Sequence, residues 1–376
     1  MRDSSSSQSR MLLVWHEAGN PLYVDRFHAL SEHFELTVYG FKEFQGVSFS
    51  KPVLDHGNFV FELFRPIFAA HWLTVFSFSL LWRAWRGRFE TIYVHQEPHS
   101  LLAFLLVLFC RESAIYLDAA VINKRLNFGG LNPFERYVYR RTSGIFYRND
   151  DVRSVLRFRG CPDSKLVQRL GNGVSSRTFY DKGVDAREEL TGFPASGTLV
   201  VGYAGRIWGY KGVEILGAIA AMPGVSAVAC GPVWDEELAA SLAARGVILY
   251  PKLDKDELVS FYSSIDIFIL PSIPSPNWVE QFGRVVVESV FCGTPAIGSS
   301  AGFIPSLVGK AQVFDAYRPG EALPLIDRLR NSALRAELLA EQRSRLMDEY
   351  SWEGIASAVR KRIVPNSLVE NSTYER

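Results

Sequence analysis

Short apolar runs alternate along this chain with stretches whose apolar positions recur at helical spacing. Buried parallel strands read as near-continuous apolar runs, and the helices that cross between them read as one-sided. The alternation therefore predicts an α/β protein built on parallel sheets with crossover helices. In the first half the predicted strands are Leu12–Trp15, Leu36–Tyr39, Thr91–Val94, Ala114–Leu117 and Gly144–Tyr147. In the second half they are Leu199–Tyr203, Ala227–Ala229, Val247–Tyr250, Ile267–Leu270 and Ala296–Gly298. No repeat at a fixed period interrupts the pattern. With 376 residues the chain can support two domains with separate cores. The boundary is expected between Asn172 and Thr198, where Ser, Gly, Asp and Pro are frequent. The predicted division is a first domain over 11–185, a second over 186–350, a closing helix over 351–364, and loose polar tails over 1–10 and 365–376.

Two elements of the second half carry chemistry. The strand Leu199–Tyr203 runs into Ala204-Gly205-Arg206-Ile207-Trp208-Gly209-Tyr210-Lys211-Gly212, and a helical pattern follows from Val213 to Ala221. A strand, a glycine-bearing turn and a helix is how α/β proteins seat phosphate groups at strand ends. Arg206 can contact phosphate oxygens in a bidentate way, and Lys211 adds a compact charge. The plainer reading is a solvated loop in which both cations face water. Further on, Glu280-Gln281-Phe282-Gly283-Arg284-Val285-Val286-Val287-Glu288 sets two carboxylates eight positions apart around a glycine that starts a predicted helix. That helix ends at Gly293, with Pro295 just beyond. Eight residues of helix rise ~12 Å, on the order of the span from a sugar ring across a diphosphate to a ribose. The backbone N–H groups of Gly283, Arg284 and Val285 would meet an anion, with Glu280 on sugar hydroxyls and Glu288 on the ribose. The plainer reading here is a buried helix with one capping and one exposed carboxylate.

These elements, followed by Gly293-Thr294-Pro295-Ala296-Ile297-Gly298, resemble the retaining glycosyltransferases of family 4, the group 1 transferases. Leu170-Gly171-Asn172-Gly173-Val174 resembles the family's "P-N-G-V-D" turn, with Gly171 and Ser175 departing from Pro and Asp. Ile265-Asp266-Ile267-Phe268-Ile269-Leu270-Pro271-Ser272 resembles "A-D-I-F-V-L-P-S", and Tyr350-Ser351-Trp352-Glu353 resembles "F-S-W-E". The resemblance is strong over the second half and loose over the first. It implies the GT-B fold, two Rossmann-like domains facing across a cleft, with the last helix crossing back to the first domain. It implies transfer of a sugar, with retention, from a UDP- or GDP-linked donor to a saccharide or lipid-linked acceptor, in polysaccharide or glycolipid assembly. Donor binding falls to Arg206, Lys211, Phe282, Gly283, Arg284, Val285 and Glu288, base recognition to backbone near Pro251–Leu253, and catalysis to Glu280 and a histidine. No cofactor beyond the donor is implied. Two other classes stay open: a GT-B enzyme that epimerises or hydrolyses nucleotide-sugars, and a silent nucleotide-sugar-binding protein.

The histidine lies in the first half. Thr91–Val94 leads into His95-Gln96-Glu97-Pro98-His99, a strand end of the kind where α/β folds expose reactive groups. His95 is the best positional match, with His99 the alternate. His16 and Glu17, after the first strand, and Asn123-Lys124-Arg125, after Ala114–Leu117, are acceptor-side candidates. Each has a plainer reading as a structural or solvated side chain. Asp254-Lys255-Asp256 has the D-x-D form that metal-dependent transferases carry. It precedes Glu257-Leu258 and reads as a helix N-cap, so no metal site is assigned.

Composition narrows the partners. A formal charge of +1 gives no global electrostatic case for nucleic acid. Cys110, Cys161, Cys230 and Cys292 lie far apart and read as reduced core thiols of a cytoplasmic protein. Met1–Arg10 is Ser-rich and polar, with no apolar region of the kind a signal peptide needs. From Ile67 to Leu81 the chain is rich in Phe, Trp and Leu, and Trp82-Arg83-Ala84-Trp85-Arg86-Gly87-Arg88 follows. Aromatics interleaved with arginines suit the headgroups of an anionic membrane, here the inner face of the cell membrane. Leu101–Cys110 is too short to span a bilayer and is expected to be a core helix.

Overall fold

The computed structural model describes residues 8–51, 58–71, 74–120, 133–183, 186, 190, 192–194, 197–275 and 278–364. They form two compact units. One comprises the residues up to Gly173 and those from Trp352 onward, and the other is the contiguous stretch Val174–Ser351. The second unit thus begins upstream of residue 186. Val174 is fully buried in its core and donates its N–H to Tyr350 O at 2.8 Å.

The first unit contains β1 (Arg10–Trp15), β2 (Glu35–Phe41), β3 (Glu43–Phe44), β4 (Val47–Ser48), β5 (Val60–Phe64), β6 (Thr91–His95), β7 (Ala114–Ala119), β8 (Gly144–Tyr147) and β9 (Leu166–Arg169). Seven of these form one sheet in the order β5-β2-β1-β6-β7-β8-β9, every neighbouring pair parallel, and β3 pairs antiparallel with β4 apart from it. The pleat sends alternate β1 side chains to opposite faces. Met11, Leu13 and Trp15 enter one core, while Leu12 and Val14 enter the other. The last helix, Trp352–Ile363, supplies Trp352, Ile355, Ala356 and Val359 to the first of these cores, beside Phe27 and Leu30 of the helix Val24–Ser31. Its Trp352 ring lies so close to Gly173 that a Cβ there would sit 2.2 Å from it, so the Gly171-Asn172-Gly173 turn needs glycine at that point.

The second unit contains β10 (Leu199–Ala204), β11 (Val225–Cys230), β12 (Ile248–Tyr250), β13 (Ile267–Leu270), β14 (Ala296–Ser299) and β15 (Val313–Phe314). They form a parallel sheet in the order β12-β11-β10-β13-β14-β15. Every strand placed from the sequence is present, with ends shifted by at most two residues. In both units the third, second and first strands run to one side of the sheet, and the fourth starts the other side. Ligands of such sheets bind beyond the strand C-termini where the order reverses. In the first unit that point is between β1 and β6, and in the second between β10 and β13.

Candidate functional site

In the second unit the turn after β10 and the loop after β13 are tied together at the reversal point. Ile273 N donates to Tyr210 O at 3.0 Å. Gly212 has φ +66°, and a Cβ on it would fall 2.0 Å from Pro271 O, so the two loops approach as closely as they do only because position 212 has no side chain. This brings residues 69 apart in sequence into contact: Lys211 Nζ donates to Glu280 Oε2 at 2.6 Å. Ser272 Oγ donates to the same oxygen at 3.2 Å. The Lys211 ammonium also lies 4.6 Å from the centre of the Trp278 ring. Both members of the pair are largely shielded from water, where a charge pair is stronger than at the surface. Glu280 is held from behind, since Phe303 N donates to its carbonyl oxygen at 3.1 Å.

Arg206 belongs to the same turn. Tyr203 OH donates to its carbonyl oxygen at 3.0 Å, and its guanidinium stacks 4.4 Å from the Trp234 ring. Gly283, at φ +77°, caps the helix Arg284–Phe291 with a left-handed residue. Glu288 on that helix is buried. Its Oε1 lies 2.7 Å from Arg284 Nε and its Oε2 accepts from Tyr262 OH at 3.0 Å. Burial raises its pKa, opposed by the Arg284 charge and the Tyr262 hydrogen bond. Phe282 turns away from this polar surface: its ring is buried against Phe303 and Tyr350, with centroids 5.7 and 5.1 Å apart. Val285 is half-buried. Asp254 caps the helix Lys255–Ser264, with Asp254 Oδ1 accepting from Glu257 N and Glu257 Oε2 accepting from Asp254 N, each at 2.9 Å.

In the first unit, His16 and His95 follow and end the strands flanking the reversal point. His16 Nδ1 lies 2.8 Å from Gln96 Nε2, and burial lowers its pKa to about 4. Burial raises that of Glu17. His95 sits inside a charge cluster. Asp118 Oδ2, at the end of β7, accepts from Arg26 Nη2 at 2.9 Å, Arg148 Nη2 at 3.0 Å and Tyr93 OH at 2.9 Å. His95 Nδ1 lies 3.0 Å from that oxygen, and 3.0 and 3.2 Å from nitrogens of Arg26 and Arg148. One tautomer donates to the carboxylate and the other accepts from the arginines. Burial, helped by the two guanidinium charges, lowers the His95 pKa to about 3, so the ring is neutral at pH 7. Asp118, against two arginines, is held well below the usual carboxylate range despite its burial. His99 stands apart from this cluster. Burial and the Arg159 charge lower its pKa to about 4, and Arg159 is itself bidentate to Glu135 at 2.8 and 2.7 Å. Asn123, Lys124 and Arg125 lie outside the described residues.

The structure thus unites Lys211 with Glu280 and Glu288 with Arg284, and places Arg206 on the same turn as Lys211. Several partners were missed by sequence reasoning: Ser272, Trp278, Tyr262 and Trp234 in the second unit, and Arg26, Tyr93, Asp118 and Arg148 in the first. Asp118 had a signal, a lone carboxylate directly after a strand-like run. Ser272 shares the loop after β13 with Glu280, and the others are separated from their partners by loops and whole strands. The four cysteines are free and buried, as expected of core thiols.

The two parallel-sheet α/β units define the class: the chain has the GT-B fold. Among solved structures it resembles Anabaena HepE in complex with UDP and glucose, with TM-score 0.66 and 15% identity over 95% of this chain and 100% of that one. It also resembles sucrose-phosphate synthase from Thermosynechococcus elongatus, with TM-score 0.63 and 17% identity over 97% and 99% of the two chains. At such identities the likeness is one of fold. Within that fold, residues 192–345, which include Arg206, Lys211, Glu280 and Glu288, match the family model described as glycosyl transferases group 1. D-inositol 3-phosphate glycosyltransferases of Mycobacterium tuberculosis and Mycobacterium bovis are 26% identical over 232 residues, 57% of this chain and 47% of the relative. The chain spans about half the length of the curated relatives it matches.

Proposed function

We propose that this protein is a retaining glycosyltransferase that moves a sugar from a nucleotide-diphosphate-sugar to a hydroxyl of a saccharide or lipid-linked acceptor, in polysaccharide or glycolipid assembly. The observation that carries the reading is the Lys211–Glu280 pair at the reversal point of the second sheet, within the segment that matches the group 1 model. UDP-linked donors are the first to test, because HepE has been solved with UDP and with UDP-glucose, and GDP-linked donors come next.

Charge complementarity sets the roles. As the glycosidic bond breaks, negative charge builds on the leaving diphosphate. Arg206, Lys211 and the helix N-terminus at Gly283 meet that charge with groups already oriented, so no reorganisation is needed at the moment of reaction. These groups supply the compensation that a divalent cation gives in metal-dependent transferases, and no step is assigned to a metal. A diphosphate beside Lys211 competes with Glu280 for the ammonium. Glu280, partly released, then turns to the sugar hydroxyls, while Glu288 accepts from the ribose with the oxygen lone pairs that Arg284 and Tyr262 leave open. Retention follows if the acceptor hydroxyl attacks on the face the nucleotide leaves. In the first unit His95 is the catalytic candidate, and His16, Glu17 and His99 are the acceptor-side candidates. A neutral His95 suits polarising a hydroxyl better than forming a covalent bond.

The test is release of nucleoside diphosphate from a donor panel, with and without candidate acceptors, and NMR of the product's anomeric centre. Release that requires an acceptor and keeps the donor configuration supports the proposal. Turnover of donor alone points to a hydrolase or epimerase, and tight binding without turnover to a silent binding protein. Either of those outcomes overturns it.

A further inference from the structure

The first unit exposes aromatic side chains that its fold does not use. On the helix Phe78–Arg86, Leu80, Leu81 and Ala84 are buried, and the opposite face carries Phe78, Trp82 and Trp85 at positions i, i+4 and i+7. These are 69%, 52% and 59% exposed, and Phe68 in the preceding loop is 66% exposed. The rings are linked, with Phe68 6.2 Å from Phe76 and Phe76 5.2 Å from Phe78. Phe68 is held at φ +58°, a backbone conformation that costs energy for a bulky residue. Exposed rings in a row on one face mark an interaction surface rather than ordinary surface scatter.

Charge decides what covers the face. From Arg65 to Arg88 there is no acidic residue, and the stretch carries four arginines and three of the chain's eight tryptophans. Arg83 does not serve the face: its Nη1 lies 2.8 and 2.9 Å from the two carboxylate oxygens of Glu62. Arg86 lies over the Trp82 ring at 5.1 Å, so cation and ring are presented together, and Arg65 and Arg88 are exposed nearby in sequence. Indole rings at half exposure beside guanidinium groups match the headgroup layer of an anionic bilayer, where one side of each ring is apolar and the other wet. The helix Leu101–Phe109, which packs against this one, is the expected core helix, with Leu102, Ala103, Leu106 and Val107 buried, and only its last residue, Phe109, is half-exposed. Nine helical residues rise ~13 Å, far short of a span. No helix among the described residues is long and apolar enough to cross a membrane.

We infer that the face formed by Phe68, Phe78, Trp82 and Trp85, with Arg86 and Arg88, docks this protein onto anionic lipid, lying in the headgroup plane. The inference rests on this face alone and not on the donor site. The experiment is co-sedimentation with vesicles of phosphatidylcholine, with and without phosphatidylglycerol, at low and high salt. The intact protein is expected to pellet with the anionic vesicles, at least about tenfold more than with neutral ones, and less at high salt. Trp82→Ser with Trp85→Ser should abolish pelleting. Arg86→Gln with Arg88→Asn, the latter chosen because Arg88 has φ +47° and asparagine tolerates positive φ, should remove the preference for anionic lipid. Both variants should keep the native thermal midpoint and native diphosphate release with a soluble acceptor, so a failure of docking is separable from a failure of catalysis. Wild-type protein that stays in the supernatant, or both variants pelleting like wild type, overturns the inference. So does a dimer that the tryptophan variant dissociates in the absence of vesicle binding, which would make the face a contact between copies.

Discussion

At the residue scale, the Lys211–Glu280 pair has two separable effects. Both side chains are mostly shielded, so truncating one strands the other. Removing one partner of a buried pair costs roughly 3–5 kcal/mol. Lys211→Ala should therefore lower the melting temperature and also reduce kcat/KM by roughly a hundredfold, through lost diphosphate affinity and turnover together. Combining it with Glu280→Gln should restore much of the stability and none of the turnover. Normal kinetics in the single variant would remove the phosphate role. His16 makes a different prediction. Its pKa is lowered from the ordinary 6.5 to about 4 by burial. The unfolded chain therefore binds a proton that the folded chain refuses between those values. Stability from this group is full above about pH 6.5 and is lost as pH falls toward 4. His16→Asn should remove roughly 1–2 kcal/mol of the loss between pH 7 and pH 5, read from denaturant titrations at both pH values. An unchanged slope would show that another group carries it.

At the element scale, the pattern of apolar positions placed strands well because buried parallel strands are apolar on both faces. It missed β5, where Glu62 breaks the run, β9, which ends in Gln168-Arg169 at the sheet edge, and β3, β4 and β15, each two residues long. Local chemistry read helix ends equally well. The Asp254 cap and the Gly283 start follow from residue types within four positions of each other. Asp254→Ala should cost about 1 kcal/mol in stability, by denaturant midpoint, and leave donor turnover unchanged. Turnover that falls and is restored by added divalent cation would instead mark the D-x-D string as a metal site.

At the scale of the whole molecule, the contiguous unit Val174–Ser351 holds its core and the whole Arg206–Glu288 constellation within itself. Expressed alone, it is expected to melt cooperatively and to be stabilised by the nucleotide that stabilises the full chain, in a thermal-shift panel of nucleotides. A ligand at a hundred times its Kd adds about 2.7 kcal/mol, a shift of roughly 5–11 °C for a unit of this size. A segment that stays unfolded, or one that folds and ignores every nucleotide, would show that the first unit completes the donor site. The first unit has no such independence in sequence, because its core takes the helix Trp352–Ile363 from the other end of the chain.

The amino-acid sequence by itself determined the parallel α/β architecture, the positions of most of the strands, the helix caps, the loops that bear Arg206, Lys211 and Glu280, and the helix that bears Glu288. These depend on periodicity and on residue types close together in the chain. The tertiary structure alone decided which side chains meet: Lys211 with Glu280, Glu288 with Tyr262, and His95 with Asp118 between two arginines. The physical reason is that such pairings follow from which strands lie side by side, and strand order is a property of the packed sheet that no local stretch encodes.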